Sequence, residues 1–372
     1  MNQSDIAVVL PAREGFGPSA FGAVSLSVKD FIYNSRYRDR FNVFGLVDAP
    51  AYEGIDYTPL PLKRHWYETK TRAYARALHK QFTQHPPALI EVHNRPKLAR
   101  MLARLGHGPI ALHLHNDPQE MKAASSPRAR TQLLREIDAV YCISDYIHTR
   151  MVDGITIDHS HVHTVHSGLD IPPQPERKQP AILFVGRMTP NKGGREFVQA
   201  MQHILQQNKG WRAEMIGGRR HSVSTDLSPY EREIMEGADA VGNAMHFLGF
   251  CDYDTTMHHM HEAAILVVPS LWHEPYGRTA LEGIAHGCAV ITAGYGGLPE
   301  IVGDAGICLP VVTPDSIATA VQSLIDDAEK LQAMQMSAYV HAQGFSIERC
   351  AQRLDDIRHH VLNDQEDARD AA

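Results

Sequence analysis

Short apolar runs alternate with longer amphipathic stretches along most of this chain. In the first half the runs are Ile6–Leu10, Phe41–Val47, Ala88–Val92, Ile110–Leu114 and Ala139–Ser144. In the second they are Ala181–Val185, Glu214–Ile216, His246–Gly249, Ile265–Pro269 and Cys288–Thr292. Each has the length of a strand buried on both faces, and the segments between carry helical spacing. Strand and helix in alternation predict an α/β protein with parallel sheets. The first run leads into a loop with Gly15, Gly17 and Gly22 and then a helix, the opening of a doubly wound unit. The proline-rich stretch Pro172–Lys178 interrupts the pattern, which restarts at Ala181. Two doubly wound domains are therefore expected, residues 1–172 and 173–345. Helices are predicted over 63–82, 315–342 and 346–362, with a polar, frayed tail after the last.

Composition narrows the class. The 372 residues suffice for two domains at roughly 150 each. At 43% apolar residues and a mean hydropathy of −0.29, no run approaches the ~18 apolar residues of a membrane span. The N-terminus enters its first strand without a basic leader, so no signal peptide is expected. Five scattered cysteines without a CxxC pair fit reduced thiols in a cytoplasmic protein. Charge is uneven: residues 1–174 hold 20 Lys and Arg against 17 Asp and Glu, giving +3, and the remainder hold 16 against 26, giving −10. Any anionic surface or acceptor is then met by the first half. The predicted helix 63–82 sharpens this, with Lys63, Arg64, Lys70, Arg72, Arg76 and Lys80 interleaved with Trp66, Tyr67, Tyr74 and Phe82. Such a helix suits either a solvated face or an anionic membrane surface.

Polar clusters sit where open α/β sheets bind ligands, at the carboxyl ends of strands. The run at 88–92 ends in His93-Asn94-Arg95-Pro96, and that at 110–114 ends in His115-Asn116-Asp117-Pro118. His113 is expected on the opposite strand face from His115, as a packing histidine. His159, His161 and His163 share a strand face at two-residue spacing, but no carboxylate or cysteine follows at ligand spacing, so no metal site is expected there or at His258, His259 and His261.

The densest chemistry lies between Ser270 and Gly303. Glu274 stands in a loop before Pro275 and Gly277, and Glu282 falls in the helix that starts near Gly277, with seven residues between the two carboxylates. A helix N-terminus offers unpaired N–H groups to a phosphate, and flanking carboxylates accept from hydroxyls. A ligand carrying both phosphate and sugar hydroxyls matches that set. Gly294-Tyr295-Gly296-Gly297 then follows a buried strand, where a Gly-Gly turn permits close backbone approach to a ligand. Earlier, Arg187 and Lys192 share the loop after 181–185, and two cations there can neutralise a diphosphate.

The stretches EPYGRTALEG and GCAVITAGYGGLPEIVGDAG, together with GR and NKG after the first strand of the second half, resemble the donor-site signature of family 4 glycosyltransferases. The resemblance is dense from Leu183 to Leu309 and looser before it. It implies the GT-B fold, two Rossmann-like domains facing across a cleft, the first binding acceptor and the second a nucleotide-sugar donor. The last helix, 346–362, would pack back on the first domain. The implied reaction moves a hexose from a UDP- or GDP-sugar, with retention, to a saccharide or lipid-linked acceptor in surface polysaccharide or lipopolysaccharide synthesis. By the resemblance, His115, Glu274, Arg187 and Lys192 are the catalytic set. Gly15, Gly17, Gly186, Phe247, Leu248, Tyr276, Gly277, Arg278, Thr279 and Glu282 line the donor. Glu274 would hold sugar hydroxyls, Glu282 the ribose, and the backbone at Phe247–Leu248 the base. Arg187, Lys192 and the Gly277–Thr279 backbone would replace a cation, so neither metal nor cofactor is expected beyond the donor itself.

Three other classes are weighed. A nicotinamide dehydrogenase would need GxGxxG after the first strand, and the Gly15 loop lacks it. A non-hydrolysing sugar-nucleotide epimerase shares the two-domain fold but not the paired-glutamate signature. A non-catalytic sugar-nucleotide binder would look the same in the second half. A nucleic-acid partner is not expected, a small soluble acceptor stays open, and the place of work is the cytoplasm or the inner face of a membrane.

Overall fold

The computed structural model describes residues 6–18, 22–175, 177–219 and 227–370, with the side chains of 364–370 excepted. Two compact units emerge: Met1–Gly168 with Ile347–Ala372, and Leu169–Ser346. The change of unit thus falls just ahead of the proline-rich stretch.

The first unit holds strands β1 (Ile6–Val9), β2 (Phe41–Gly45), β3 (Asp56–Pro59), β4 (Leu89–His93), β5 (Ile110–Leu114), β6 (Ala139–Cys142) and β7 (Val162–Thr164). They form one parallel sheet in the order β3-β2-β1-β4-β5-β6-β7. The second unit holds β8 (Gln179–Val185), β9 (Arg212–Ile216), β10 (Met245–Gly249), β11 (Ala263–Val268), β12 (Ala289–Ala293) and β13 (Gly306–Leu309), ordered β10-β9-β8-β11-β12-β13. Both sheets reverse their strand order once, between β1 and β4 and between β8 and β11. At such switch points the flanking loops part and leave a crevice outside the strand ends. The loops there are those after Val9, His93, Val185 and Val268, which carry most of the polar residues singled out above.

Alternation along the first sheet sorts side chains into two apolar layers. One layer takes Val9, Ile90, Val92, Leu112 and Val140. The other takes Ile6, Val8, Leu89, Ala111, Ala139 and Tyr141, and is covered by Ile347, Ala351 and Leu354 of the C-terminal helix. That helix runs Ile347–Asp370, so the polar end of the chain continues it rather than fraying after 362. Into this second layer falls one carboxylate, Glu91 on β4, only 1% exposed. Arg358 meets it with two hydrogen bonds, Nε to Oε1 at 2.7 Å and Nη2 to Oε2 at 2.9 Å. Arg358 Nη1 also donates to Asp355 Oδ1 at 2.9 Å, and Asp355 accepts from Ser35 Oγ and the Arg36 backbone N–H. Burial opposes ionisation of Glu91, but the Arg358 guanidinium, with His113, holds its carboxyl well below the usual range.

Two expectations need correction. The helix predicted over 63–82 is Lys70–Gln84, capped by Thr69, whose side chain accepts from the Arg72 N–H. Lys63, Arg64, Trp66 and Tyr67 precede it, and Trp66 is 93% exposed. Tyr74 and Phe82 face the core instead of alternating with the cations on one surface: Tyr74 Oη donates to the carbonyls of Leu10 and Phe44, and Phe82 packs edge-on to Phe44. The predicted helix 315–342 is two, Pro314–Ile325 and Ala328–Ala342, parted where Asp327 caps the second by accepting from Lys330 N–H. Among the described residues no helix is long and apolar enough to cross a membrane.

Removing one partner of a buried ion pair strands the other charge, which costs about 3–5 kcal/mol, whereas replacing both by apolar groups is near neutral. Arg358→Ala should therefore lower stability by about that amount in chemical denaturation. Glu91→Leu with Arg358→Met should recover most of it, and equal losses in both variants would count against the pair as the main contributor.

Candidate active site

The second unit gathers its candidate residues at the β8–β11 switch point. A short turn, Pro190–Lys192, follows β8 and ends in Gly193, whose φ of +74° opens the helix Gly194–Gln207. A Cβ on Gly193 would stand 1.9 Å from the Pro269 carbonyl oxygen, so only glycine lets this turn lie against the end of β11. Lys192 is thereby brought to Glu274. Its Nζ donates to Glu274 Oε1 at 2.5 Å, Ser270 Oγ to the same oxygen at 2.6 Å and Trp272 Nε1 at 3.1 Å. Three donors on one oxygen fix the carboxylate, which is 8% exposed. Lys192 Nζ also lies 5.5 Å over the Trp272 ring. A cavity opens here, lined by Lys192, Ser270, Glu274, Gly277, Arg278 and Thr279.

Gly277 caps the helix Arg278–Ala285. Glu282, buried in that helix, accepts from Arg278 Nε at 3.0 Å. Burial raises its carboxyl above the ordinary value despite the guanidinium. Arg187 stands exposed in the loop it shares with Gly186, whose N–H is bound to the Ile216 carbonyl. Tyr276 is buried. Phe247 and Leu248 lie on the outermost strand β10, at an irregularity before Gly249, and do not line that cavity.

The glycine turn after β12 packs against the acidic loop. Gly297 N–H donates to the Glu274 carbonyl at 2.7 Å, and Tyr295 Oη to the Ser270 carbonyl at 2.7 Å. A Cβ on Gly296, whose φ is +71°, would come within 2.7 Å of the Glu274 backbone N and O. The close approach is to the acidic loop, which the turn braces from behind. Ser270, Trp272 and Tyr295 were not singled out from the sequence. The serine and tryptophan flank Glu274 closely enough to have been suspects.

In the first unit the glycine loop after β1 is anchored by Phe16, fully buried and edge-on to Tyr52. Gly15 and Gly17 are buried beside it, and a Cβ on Gly17 would overlap the Pro50 carbonyl oxygen. The histidines after β4 and β5 come together. His93 and His113 are in register, their rings stacked at 4.1 Å, and His115 stacks on His93 at 5.2 Å. His113 does not turn to the other face from His115, because positions two apart on a strand point the same way. Glu91, missed in the sequence, completes the group with Oε2 3.4 Å from His113 Nε2. One ring nitrogen from each of the three histidines lies within 4.8 Å of the others. Their planes are nearly parallel, 14–24° apart. Among the other histidines, His163 lies in β7, His159 Nδ1 is bound to the Ile157 carbonyl and His259 to Glu214. Burial, then the neighbouring imidazoles, pushes His93 well below the ordinary histidine value and His115 down to about 3.

Known proteins fit this picture. Residues 170–341 match the family model described as glycosyl transferases group 1, and residues 33–168 one described as a glycosyl transferase 4-like domain. The "Putative glycosyltransferase YtcC" of Bacillus subtilis is 25% identical over 359 residues, covering 89% of this chain and 85% of that one. The lipopolysaccharide 1,2-N-acetylglucosaminetransferase of Salmonella typhimurium is 25% identical over 178 residues, 47% of each chain. Among solved structures, Anabaena Alr3699/HepE in complex with UDP superposes with a TM-score of 0.76 at 20% identity, over 96% of this chain and 100% of that one.

Two outcomes follow. Gly296→Ala forces a side chain into left-handed backbone and into the acidic loop, and should destabilise the protein by more than about 1 kcal/mol in thermal or urea unfolding. Second, His93 and His115 stay neutral when folded but take up protons near pH 6.5 when unfolded. Their contribution is complete above that pH and is lost as pH falls towards the folded values, at up to about 1.4 kcal/mol per pH unit for each. Unfolding midpoints should drop between pH 7 and 5, and a flat profile there would contradict the assignment.

Proposed function

The chain belongs to the group 1 glycosyl transferases, with a family 4-like first domain and the GT-B fold, and from that premise we propose a retaining, metal-independent hexosyl transfer. The donor is a nucleotide-diphosphate sugar, UDP- or GDP-linked, and the acceptor a saccharide or lipid-linked chain of the kind used in surface polysaccharide or lipopolysaccharide synthesis. The observation that carries the reading is the cavity where Lys192, a fixed Glu274 and the start of the helix Arg278–Ala285 meet. It offers positive charge and backbone N–H groups to a diphosphate beside a carboxylate for hydroxyls. The UDP complex of the Anabaena protein supports a nucleotide donor, and the Salmonella relative supports the acceptor class.

In this reading the diphosphate lies against the Gly277–Thr279 backbone, with Lys192 and Arg187 neutralising it. The three donors to Glu274 all fall on Oε1, which leaves Oε2 to accept from sugar hydroxyls. Glu282 takes the ribose. The bond from the anomeric carbon to the phosphate oxygen breaks as the acceptor oxygen bonds to the same face of that carbon. The acceptor proton passes to the departing phosphate oxygen. Charge develops on the leaving diphosphate, and positioned cations and N–H groups stabilise it without a metal. By the family resemblance, His115 would serve at the reacting centre.

Titrating the full chain with UDP- and GDP-sugars in EDTA, followed by product analysis by NMR for anomeric configuration, tests each part. One nucleotide class should bind without metal and give the retained anomer. Removing a group that stabilises the leaving charge costs about 10²–10³ in rate, so Lys192→Ala should lose that much with the fold intact. Binding only with Mn²⁺, or an inverted product, would overturn the proposal.

A further inference from the structure

The column of histidines in the first unit carries a bookkeeping of protons that selects one tautomer. His93 Nδ1 and His115 Nε2 are 2.9 Å apart, so one donates and the other accepts. His93 Nε2 is fully buried with no hydrogen-bond partner. A neutral imidazole carries one N–H. If His93 accepted at Nδ1, its proton would be on Nε2, an N–H buried without an acceptor, which is the rarer and costlier of the two defects. If His93 donates from Nδ1, only a bare lone pair is left inside. The surroundings keep both rings neutral: His93 stacks on His113, and the charge facing His113 from β4, Glu91, is already matched by Arg358 of the C-terminal helix. Tyr141 of β6 packs edge-on to His113 at 4.7 Å. The backbone is pinned as well, since His115 N–H donates to Asn94 Oδ1 and Asn94 N–H to the His113 carbonyl, both at 2.8 Å. Asn94 is held at φ +54°, a conformation non-glycine residues seldom adopt, so the contacts around it fix it there.

We propose that His93 is a positioning residue that donates from Nδ1 to His115 Nε2 and so holds His115 as its Nδ1–H tautomer, a neutral hydrogen-bond donor. The assignment rests on the reading that His115 meets the sugar. It adds what His115 does there: it gives a hydrogen bond to a hydroxyl or ring oxygen and takes no proton. A free neutral histidine prefers its proton on Nε2, so the tautomer is a consequence of His93 and can be read directly.

The test is long-range ¹H–¹⁵N NMR on the full chain labelled at histidine, with the His115 signals identified by their loss in His115→Ala. His115 should appear as Nδ1–H and stay neutral at pH 6. In His93→Phe it should revert to Nε2–H, and transfer should slow by about 10–100-fold, the loss typical when the partner that orients a histidine is removed. His93→Asn keeps an amide N–H in place of Nδ1, and should restore both tautomer and rate. It is also the variant to read if the phenylalanine disturbs folding. An Nε2–H or charged His115 in the unaltered protein, or no change in His93→Phe, would overturn the proposal. So would stoichiometric Zn²⁺ binding that His93→Phe abolishes. The two readings fail separately. Should the tautomer behave as stated while His115→Ala transfers normally, the placement of His115 at the sugar is wrong and the relay stands. Should His115→Ala be inactive with His115 as Nε2–H, the relay is wrong and the placement stands.

Discussion

A single buried carboxylate sets the terms for the first unit. Glu91 lies in the middle of a parallel sheet, beside the apolar layer that the C-terminal helix covers, and an isolated charge there would cost far more than a domain's net stability. Arg358 answers it with a bidentate pair, and Asp355, Ser35 and the Arg36 backbone complete the set. The consequence reaches across the chain, because the pair joins residues separated by 267 positions. It ties the C-terminal helix to β4, so the last stretch of sequence belongs to the first unit although the second unit intervenes. It also makes Glu91 a settled charge, matched by a guanidinium as well as facing His113.

The second unit solves a similar problem on its surface side. Lys192 and Glu274 are brought together by two loops at the switch point, and neither loop could close without a glycine at its tightest contact. Gly193 admits the first loop against β11, and Gly296 admits the brace behind the second. Ser270 and Trp272 add donors to the same carboxylate oxygen, so Glu274 is oriented before any ligand arrives. A site whose charges are fixed in advance does not have to reorganise when charge develops in a reaction.

Much of this was legible from residue order alone. Most strands were, because short apolar runs flanked by turn residues have few alternatives, whereas the partly exposed edge strands β3 and β13 escaped. The acidic loop was, because the two glutamates, the helix start and the glycine turn fall within one short stretch. What escaped has physical causes. The start of the helix at Lys70 depends on Thr69 as cap and on Arg76 turning back to Glu68 and the Lys63 carbonyl, contacts that periodicity does not reveal. The packing of Gly296 and Gly297 on the Glu274 loop was not legible, because glycine says that something lies close, not what. The face of His113 follows from simple parity and was legible after all. Arg358 could not be matched to Glu91 from local sequence, although a glutamate within ALIEVH already signals a buried partner.

The two units divide the chemistry along a line of charge. The second fixes Lys192 and Glu274 beside a helix start, where the proposed transfer would seat its diphosphate. The first offers histidines whose burial removes their charge. For the proposed transfer that division is sensible. Breaking the bond to phosphate leaves positive character on the sugar ring while negative charge gathers on the leaving group. Cations belong by the leaving group, whereas a cationic imidazole beside the sugar would raise the barrier that they lower. A neutral N–H can still orient the ring without opposing that charge. The Glu91–Arg358 pair stands beside them: the carboxylate next to the histidines is matched by a guanidinium, while burial keeps His93 and His115 uncharged.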